Sequence, residues 1–197
     1  MAQPEYRIIA EMIEDGSTVL DLGCGEGDLL YMLERQKGVK GQGVEINEEA
    51  IYSCVAKGLN VFHDDLDNGL VDYTDKSFDY VIMNQTMQEV IDPHKVITEA
   101  LRVGKKVIVG FPNFAYWKAR FQLFFCGRAP VTPSLPHQWF NTPNLHFLSL
   151  ADFRDYCANH DITIIQSAYL PDHFLVKIFP NLLAESAILM ITRVEQP

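Results

Sequence analysis

The sequence predicts an α/β fold, with a mostly parallel seven-stranded sheet and helices on both faces. Three observations predict it. Short apolar runs rich in Val, Ile and Leu alternate with segments of helical periodicity, glycine-containing turns separate them, and the first of those turns ends a strand and opens a helix.

The elements follow in order. After Pro4, Ile8, Ile9, Met12 and Ile13 recur at helical spacing, and Asp15-Gly16-Ser17 stops this opening helix. Residues 18–22 form a nearly continuous apolar run, as a parallel strand covered on both faces requires. A helix over 28–36 turns Leu29, Leu30 and Leu33 inward, and 41–46 is the second strand. Asn47 caps a third helix over 48–57, which Gly58 closes before a third strand at 59–63. A fourth strand covers 77–83 around Phe78 to Ile82, a helix follows near 93–103, and 105–110 is the fifth strand. Ser149 caps a last helix through Ala158, and strands over 162–169 and 187–194 complete the seven.

Such alternation is Rossmann-like, and ligands in these sheets lie beyond the carboxyl ends of the strands at a topological switch point. One stretch breaks the pattern. From about 111 to 148, aromatics, prolines and histidines replace the alternation over a length too great for an ordinary connection. It reads as a functional lid or docking surface, or more plainly as a loop-rich flap packed on the sheet.

At 197 residues the chain supports one buried core, so 1–197 is expected to be a single domain. Hydrophobic content of 48% with 21% charged residues suits a soluble globular protein. No apolar run approaches the roughly 20 residues of a membrane helix. Nothing near the Met1-Ala2-Gln3-Pro4-Glu5 start marks a signal peptide, and a cytoplasmic location is expected. The net charge of -10 would repel a phosphate backbone, which argues against nucleic acid as a partner. Cys24, Cys54, Cys126 and Cys157 form no C-x-x-C pair and read as plain thiols. His63, His94, His160 and His173 lack metal-ligand spacing, so no metal is expected.

The strongest signal is Val19-Leu20-Asp21-Leu22-Gly23-Cys24-Gly25-Glu26-Gly27-Asp28, a strand entering a glycine-rich turn that opens a helix. A pyrophosphate site would place Gly or Ala three residues after Gly25, where Asp28 adds negative charge, and this disfavours NAD. Asp21 ends the first strand, and Glu45 ends the second, 20 residues after Gly25. A carboxylate at the second position can accept bonds from both hydroxyls of a ribose. Asp21 favours a cationic ligand, and S-adenosylmethionine carries both a sulfonium and an ammonium.

The turn 21–27 resembles the first motif of class I S-adenosylmethionine-dependent methyltransferases. By that resemblance Asp21, Gly23, Cys24 and Gly25 line the cofactor site, and Glu45 is the ribose-binding acid with Ile46 beside it. Asp65-Leu66 falls where such proteins bond the adenine amine and cover its ring, with Asp64 an adjacent rival. Asn84-Gln85 falls where they face the methionine moiety and the substrate.

More closely, the whole chain resembles the MetW family, methyltransferase-like proteins named for methionine biosynthesis. The likeness rests on Asp65-Leu66-Asp67 with Gly69-Leu70, on 76–82, on Gln85-Thr86-Met87-Gln88 and on Leu101-Arg102-Val103-Gly104. It continues through Phe111-Pro112-Asn113-Phe114, Pro130-Val131-Thr132, Leu135-Pro136, Gln138-Trp139, Asn141-Thr142-Pro143-Asn144 and His146. Departures are mild: Met87 where the family usually has Leu, and Glu26 and Asn47 where Asp is common. The resemblance implies S-adenosylmethionine or S-adenosylhomocysteine as ligand and homoserine O-acyltransferase, of MetX type, as partner.

Whether a methyl group is transferred stays open. Gln85-Thr86-Met87-Gln88 is neutral where many such enzymes carry an acid or an aromatic motif, which weakens simple O- or N-methylation. The catalytic residues are unassigned. His137, His146 and Tyr116 in the flap are candidate bases, each more readily explained by packing. Lys118, Arg120 and Arg128 flank an aromatic run at Phe121 to Phe125, which favours a helix with its aromatics packed down and its cations in water over a basic-aromatic docking surface.

Overall fold

A computed structural model describes residues 3–171 and 174–193. Met1 and Ala2, His173 and the Val194 end of the last expected strand lie outside the described residues. The seven strands are β1 (Thr18–Leu22), β2 (Lys40–Glu45), β3 (Val61–His63), β4 (Phe78–Asn84), β5 (Gly104–Pro112), β6 (Ile162–Leu170) and β7 (Ser186–Arg193). They lie in one sheet in the order β3-β2-β1-β4-β5-β7-β6. β1 to β5 pair in parallel, while β7 runs antiparallel to both β5 and β6.

Helices cover both faces. One cluster gathers α1 (Pro4–Met12) and α2 (Asp28–Lys37) with Cys54 of α3 (Glu48–Ala56) against Val19, Ile82 and Ile108. The other gathers α4 (Pro93–Val103) and α6 (Leu150–Asn159) against Leu20, Leu22, Val81 and Val109. Side chains alternate along a strand, so Asp21 lies on the α1–α2 side with Val19. Sequence order reverses between β1 and β4, the switch point at which a ligand crevice is expected.

The caps read from sequence form as expected. The Asn47 side chain accepts from the Ala50 N–H at 3.0 Å, and Ser149 and Asp152 make a reciprocal capping box at the start of α6. Boundaries shift elsewhere. β3 is shorter than 59–63 because the Leu59 N–H still bonds the Cys54 carbonyl, wrapping that residue around the end of α3. β5 takes in Phe111 and Pro112, so the irregular stretch begins at residue 113.

Two readings are corrected. The stretch holds a full helix, α5 (Trp117–Cys126), and its aromatics do not pack down: Phe121, Phe124 and Phe125 are exposed, Phe124 to 82%. Ala119 alone of α5 is buried, because Phe121, Phe124 and Phe125 sit on the side of the helix turned from the body. Second, the sequence reading passed over α7 (Phe174–Ile178) and α8 (Pro180–Leu183) between the last two strands, although Pro180 at the first turn of α8 is a helix-start signal.

Candidate functional site

The glycine turn is shaped by what touches it. Gly23 has φ +70, and a Cβ there would come within 2.7 Å of Thr86 Cγ2. The Thr86 hydroxyl donates to the Leu22 carbonyl at 2.8 Å, so the ends of β1 and β4 are pinned together across the switch point. Gly25 has φ +53 and nothing within 4 Å of where a Cβ would stand, which leaves its backbone open on the crevice side.

Two depressions flank this turn and share Gly23, Gly25 and Gln85 as walls. The larger, about 500 Å³, is lined by Glu45, Ile46, Asp64, Asp65, Leu66 and Glu89 among others. The smaller, about 340 Å³, is lined by Asp21, Cys24 and Asn84, with Gln3 and Tyr6 from the N-terminal end of the chain. The ten residues singled out from sequence for the cofactor therefore come together around one turn. Gln3, Tyr6, Thr86 and Glu89 were missed. The last two follow the end of β4 directly, so that position in the pattern could have found them.

Asp21 is 3% exposed. Burial, and then the charge of Glu45, push its carboxyl up to about 7. Asn84 Oδ1 on the same wall is buried and has no hydrogen-bond partner among the described residues. This half of the crevice thus has a buried carboxylate short of counter-charge and, within its wall and packed over Gly110, an acceptor short of a donor. Burial also raises the Tyr6 hydroxyl pKa, helped by Asp28 and Asp21. Cys24 has its Sγ 4.0 Å from that of Cys54, and burial raises both thiols, so neither is an activated nucleophile.

In the other half, Glu45 is not free. Its Oε2 accepts the Gly25 N–H at 2.8 Å, and its Oε1 accepts the Ile46 and Asn47 N–H groups, each at 2.9 Å. Asp65 caps the 3-10 turn at Leu66–Asn68 by accepting the Asp67 N–H at 3.0 Å. Asp67 accepts the Ile91 and Asp92 N–H groups and so ties the crevice floor to the start of α4. Glu89 stands at the rim, where desolvation and then Glu45 raise its carboxyl pKa while His137 opposes the shift.

Gln85 takes φ +61, a left-handed conformation unusual for a residue with a side chain. Its N–H donates to the Gly110 carbonyl at 2.8 Å and its carbonyl accepts the Gln88 side chain at 2.8 Å. The turn is held on both sides, which keeps Gln85 between the two depressions.

Of the three candidate bases, Tyr116 is buried at the start of α5, where burial and a hydrogen bond to Glu185 raise its pKa. His146 donates from Nε2 to the Val90 carbonyl at 3.0 Å, so that nitrogen carries a proton and serves to anchor the flap. His137 differs. It lines an apolar flap cavity of about 290 Å³ with Phe114, Leu123, Trp139 and Phe147, and its charge is felt at Glu89. Among the described residues no group of three or more His, Cys, Asp or Glu gathers as for a metal, and no helix is long and apolar enough to cross a membrane.

A family model described as methionine biosynthesis protein MetW matches residues 3–191. The chain belongs to the MetW family. A relative from Rhodopirellula baltica, described as a bifunctional methionine biosynthesis protein MetXA/MetW, is 36% identical over 94% of this chain. The chain spans 32% of that relative's length. Among solved structures, an S-adenosylmethionine-dependent methyltransferase from Mesorhizobium loti superposes with TM-score 0.69 at 16% identity, covering 98% of this chain and 99% of that one. The [4+2]-cyclase SpnF superposes with TM-score 0.68 at 16% identity, covering 96% and 80%. These show a class I methyltransferase fold, and a cyclase among its bearers shows that the fold does not fix the reaction.

Several MetW motifs turn out to be structural. The Arg102 guanidinium donates to the Tyr73 and Leu70 carbonyls at 2.7 and 2.8 Å and pairs with Asp75 and Glu99. Lys76 donates to the Leu101 and Gly104 carbonyls, each at 3.0 Å. Together they close the loop after the crevice onto the end of α4. Asn113 is buried and uses every bonding position: Nδ2 donates to the Asn181 and Ala184 carbonyls, and Oδ1 accepts the Ala115 and Leu150 N–H groups. It is the root of the flap.

Proposed function

We propose that this MetW-family chain binds S-adenosylmethionine, or its product S-adenosylhomocysteine, in the crevice. On this reading it acts in methionine biosynthesis by supporting or regulating a homoserine O-acyltransferase, a cytoplasmic role. One observation carries the binding: Asp21 and the unpartnered Asn84 Oδ1 share a wall next to an open glycine turn. A buried carboxylate and an orphan acceptor suit a ligand that brings both positive charge and N–H donors, as the amino-acid end of adenosylmethionine does.

At the other end Glu45 would meet the ribose. An ionised carboxylate offers about four acceptor sites, and three backbone donors already hold this one in place. The one remaining site, on the Oε2 that also accepts from Gly25, takes one ribose hydroxyl, and a second hydroxyl would bond there only by displacing the Gly25 N–H. Asp64 or Asp65 would accept from the adenine amine, with Ile46 and Leu66 against the ring. Ile46 is 59% exposed, and a flat apolar ligand would cover it.

Support for the acyltransferase partner comes from the relative in which a MetXA unit and a MetW unit share one chain. Association in trans would then reproduce what fusion enforces. Calorimetry with adenosylmethionine and adenosylhomocysteine tests the first step; no heat with either ends the nucleoside reading. Acyltransferase assays with and without this chain test the second. No complex and no change in rate would end the partnership.

A second reading has its own observation in its favour. His137 lines the flap cavity and acts electrostatically on Glu89, which lines the crevice, so on this reading an acceptor held in the flap would meet the bound methyl donor with His137 as base. The sulfonium, when bound, supplies the activated methyl group; His137 would take the acceptor's proton. This predicts adenosylhomocysteine formation when candidate acceptors are supplied, and none would form with a His137→Ala variant.

A further inference from the structure

The outward face of α5 is unusual in this molecule. At about 100° per residue around a helix axis, Phe121, Phe124 and Phe125 fall on the side opposite buried Ala119. Lys118 and Arg120 fall on the two flanks of that aromatic face. The rings touch one another, with centroids of Phe121 and Phe125 4.8 Å apart and those of Phe124 and Phe125 also 4.8 Å apart. Three adjoining exposed rings on one face are a patch, and such patches on folded chains mark interaction sites.

Charge narrows the occupant. Residues 113–148 contain Lys118, Arg120 and Arg128 and no Asp or Glu, within a chain whose net charge is -10. All of the chain's carboxylates therefore lie outside the flap. A second copy meeting this one flap to flap would set cations against cations and is disfavoured. A partner with an apolar surface rimmed by carboxylates is the complement. The Rhodopirellula baltica relative, described as a bifunctional MetXA/MetW protein, supplies a partner class: on the function proposed above, its MetXA unit is the acyltransferase.

We infer that the aromatic face of α5 is the surface on which the acyltransferase docks, with Phe124 and Phe125 as apolar anchors and the flanking cations steering approach. The inference rests on the acyltransferase partnership proposed above. It also places the contact away from the crevice mouth, since none of these three rings lines either depression. The flap is nevertheless tied to the crevice, because the Leu145 and His146 N–H groups both donate to the Gln88 carbonyl, at 2.8 and 3.1 Å.

The test uses the wild-type chain and the double variant Phe124→Ser/Phe125→Ser, each mixed with purified homoserine O-acyltransferase and followed by biolayer interferometry. Calorimetry with adenosylmethionine on both proteins checks that the variant is folded. The expected result is binding by the wild type, at least about a 30-fold weaker complex for the variant, and equal nucleoside affinity. Lys118→Glu should slow association and reduce its dependence on salt. Wild type and variant binding alike would overturn the α5 surface and leave the partnership standing. Failure of the wild type to bind would overturn the partnership and this inference with it. Two further results would also overturn it: wild type, but not variant, sedimenting with phosphatidylglycerol-containing vesicles in the absence of acyltransferase binding, or wild type alone self-associating through this face.

Discussion

At the carboxyl ends of β1, β2 and β4 the polar side chains are tied to backbone: Glu45 holds three N–H groups, Thr86 bonds the end of β1, and Asp67 grips the start of α4. Across the flap the pattern inverts. The aromatic rings of α5 contact one another in solvent, and the segment is held to the body at a few points, chiefly Asn113 at its root and His146 at its far side. The crevice is thus preorganised from within the chain, whereas the flap leaves apolar area uncovered. A region finished by its own contacts can be complementary to a small ligand; one left unfinished is complementary to another surface.

The contrast can be broken first at Asn113. Asn113→Ala would leave four backbone groups without their side-chain partners, and the expected loss is about 3 kcal/mol of global stability, read as a lowered urea midpoint. A loss confined to the flap, seen as fast amide exchange there with an unchanged midpoint, would show the two regions to be separable. Glu45→Ala comes next, with an expected loss of about 2 kcal/mol of adenosylmethionine binding, measured by calorimetry, because the proposed ribose acceptor and the anchor of Gly25 vanish together. Unchanged affinity would place the ribose elsewhere.

Asp21→Asn sharpens the comparison through pH. The folded carboxyl titrates at about 7, above the 3.8 of an exposed Asp, so between these values the folded state binds more protons than the unfolded state. Asp21 therefore costs the unliganded protein stability as pH rises through that window. The variant should gain on wild type at pH 8 and show no gain at pH 4, by thermal unfolding. Ligand binding should move oppositely: wild-type affinity for the cationic adenosylmethionine falls as pH drops through about 7, and the variant is weak and flat. A wild-type affinity independent of pH would remove Asp21 from the ligand's charge. The smallest effect belongs to Phe124→Ser/Phe125→Ser, whose own stability should shift by no more than about 0.5 kcal/mol.

The parts of the molecule that were legible in sequence share a cause. Residues 18–27 advertised themselves because a strand turning sharply into a helix demands glycines, and Asn47 and Ser149 because a helix start demands a cap. Glu45 was readable from its distance to the turn, but its three backbone bonds were not, since they depend on β1 and β2 lying in register. The α5 aromatics were misread for a different reason. Patterning arguments assume that apolar residues seek the chain's own interior, and that assumption fails on the outward face of α5, where Phe121, Phe124 and Phe125 stay exposed. Arg102 and Asn113 were visible only as parts of a family motif; their work as backbone clasps required the fold.

The clasp of residues 145 and 146 on the Gln88 carbonyl has a thermodynamic corollary. Gln88 also bonds Gln85, which walls both depressions, so a short chain of contacts joins the seat proposed for the nucleoside to the flap. If occupancy of that seat alters how firmly the flap receives a visitor, the visitor must alter nucleoside affinity by the same factor, whichever arrives first. Reciprocity of that kind would let an end product's concentration be read by an enzyme that never touches it.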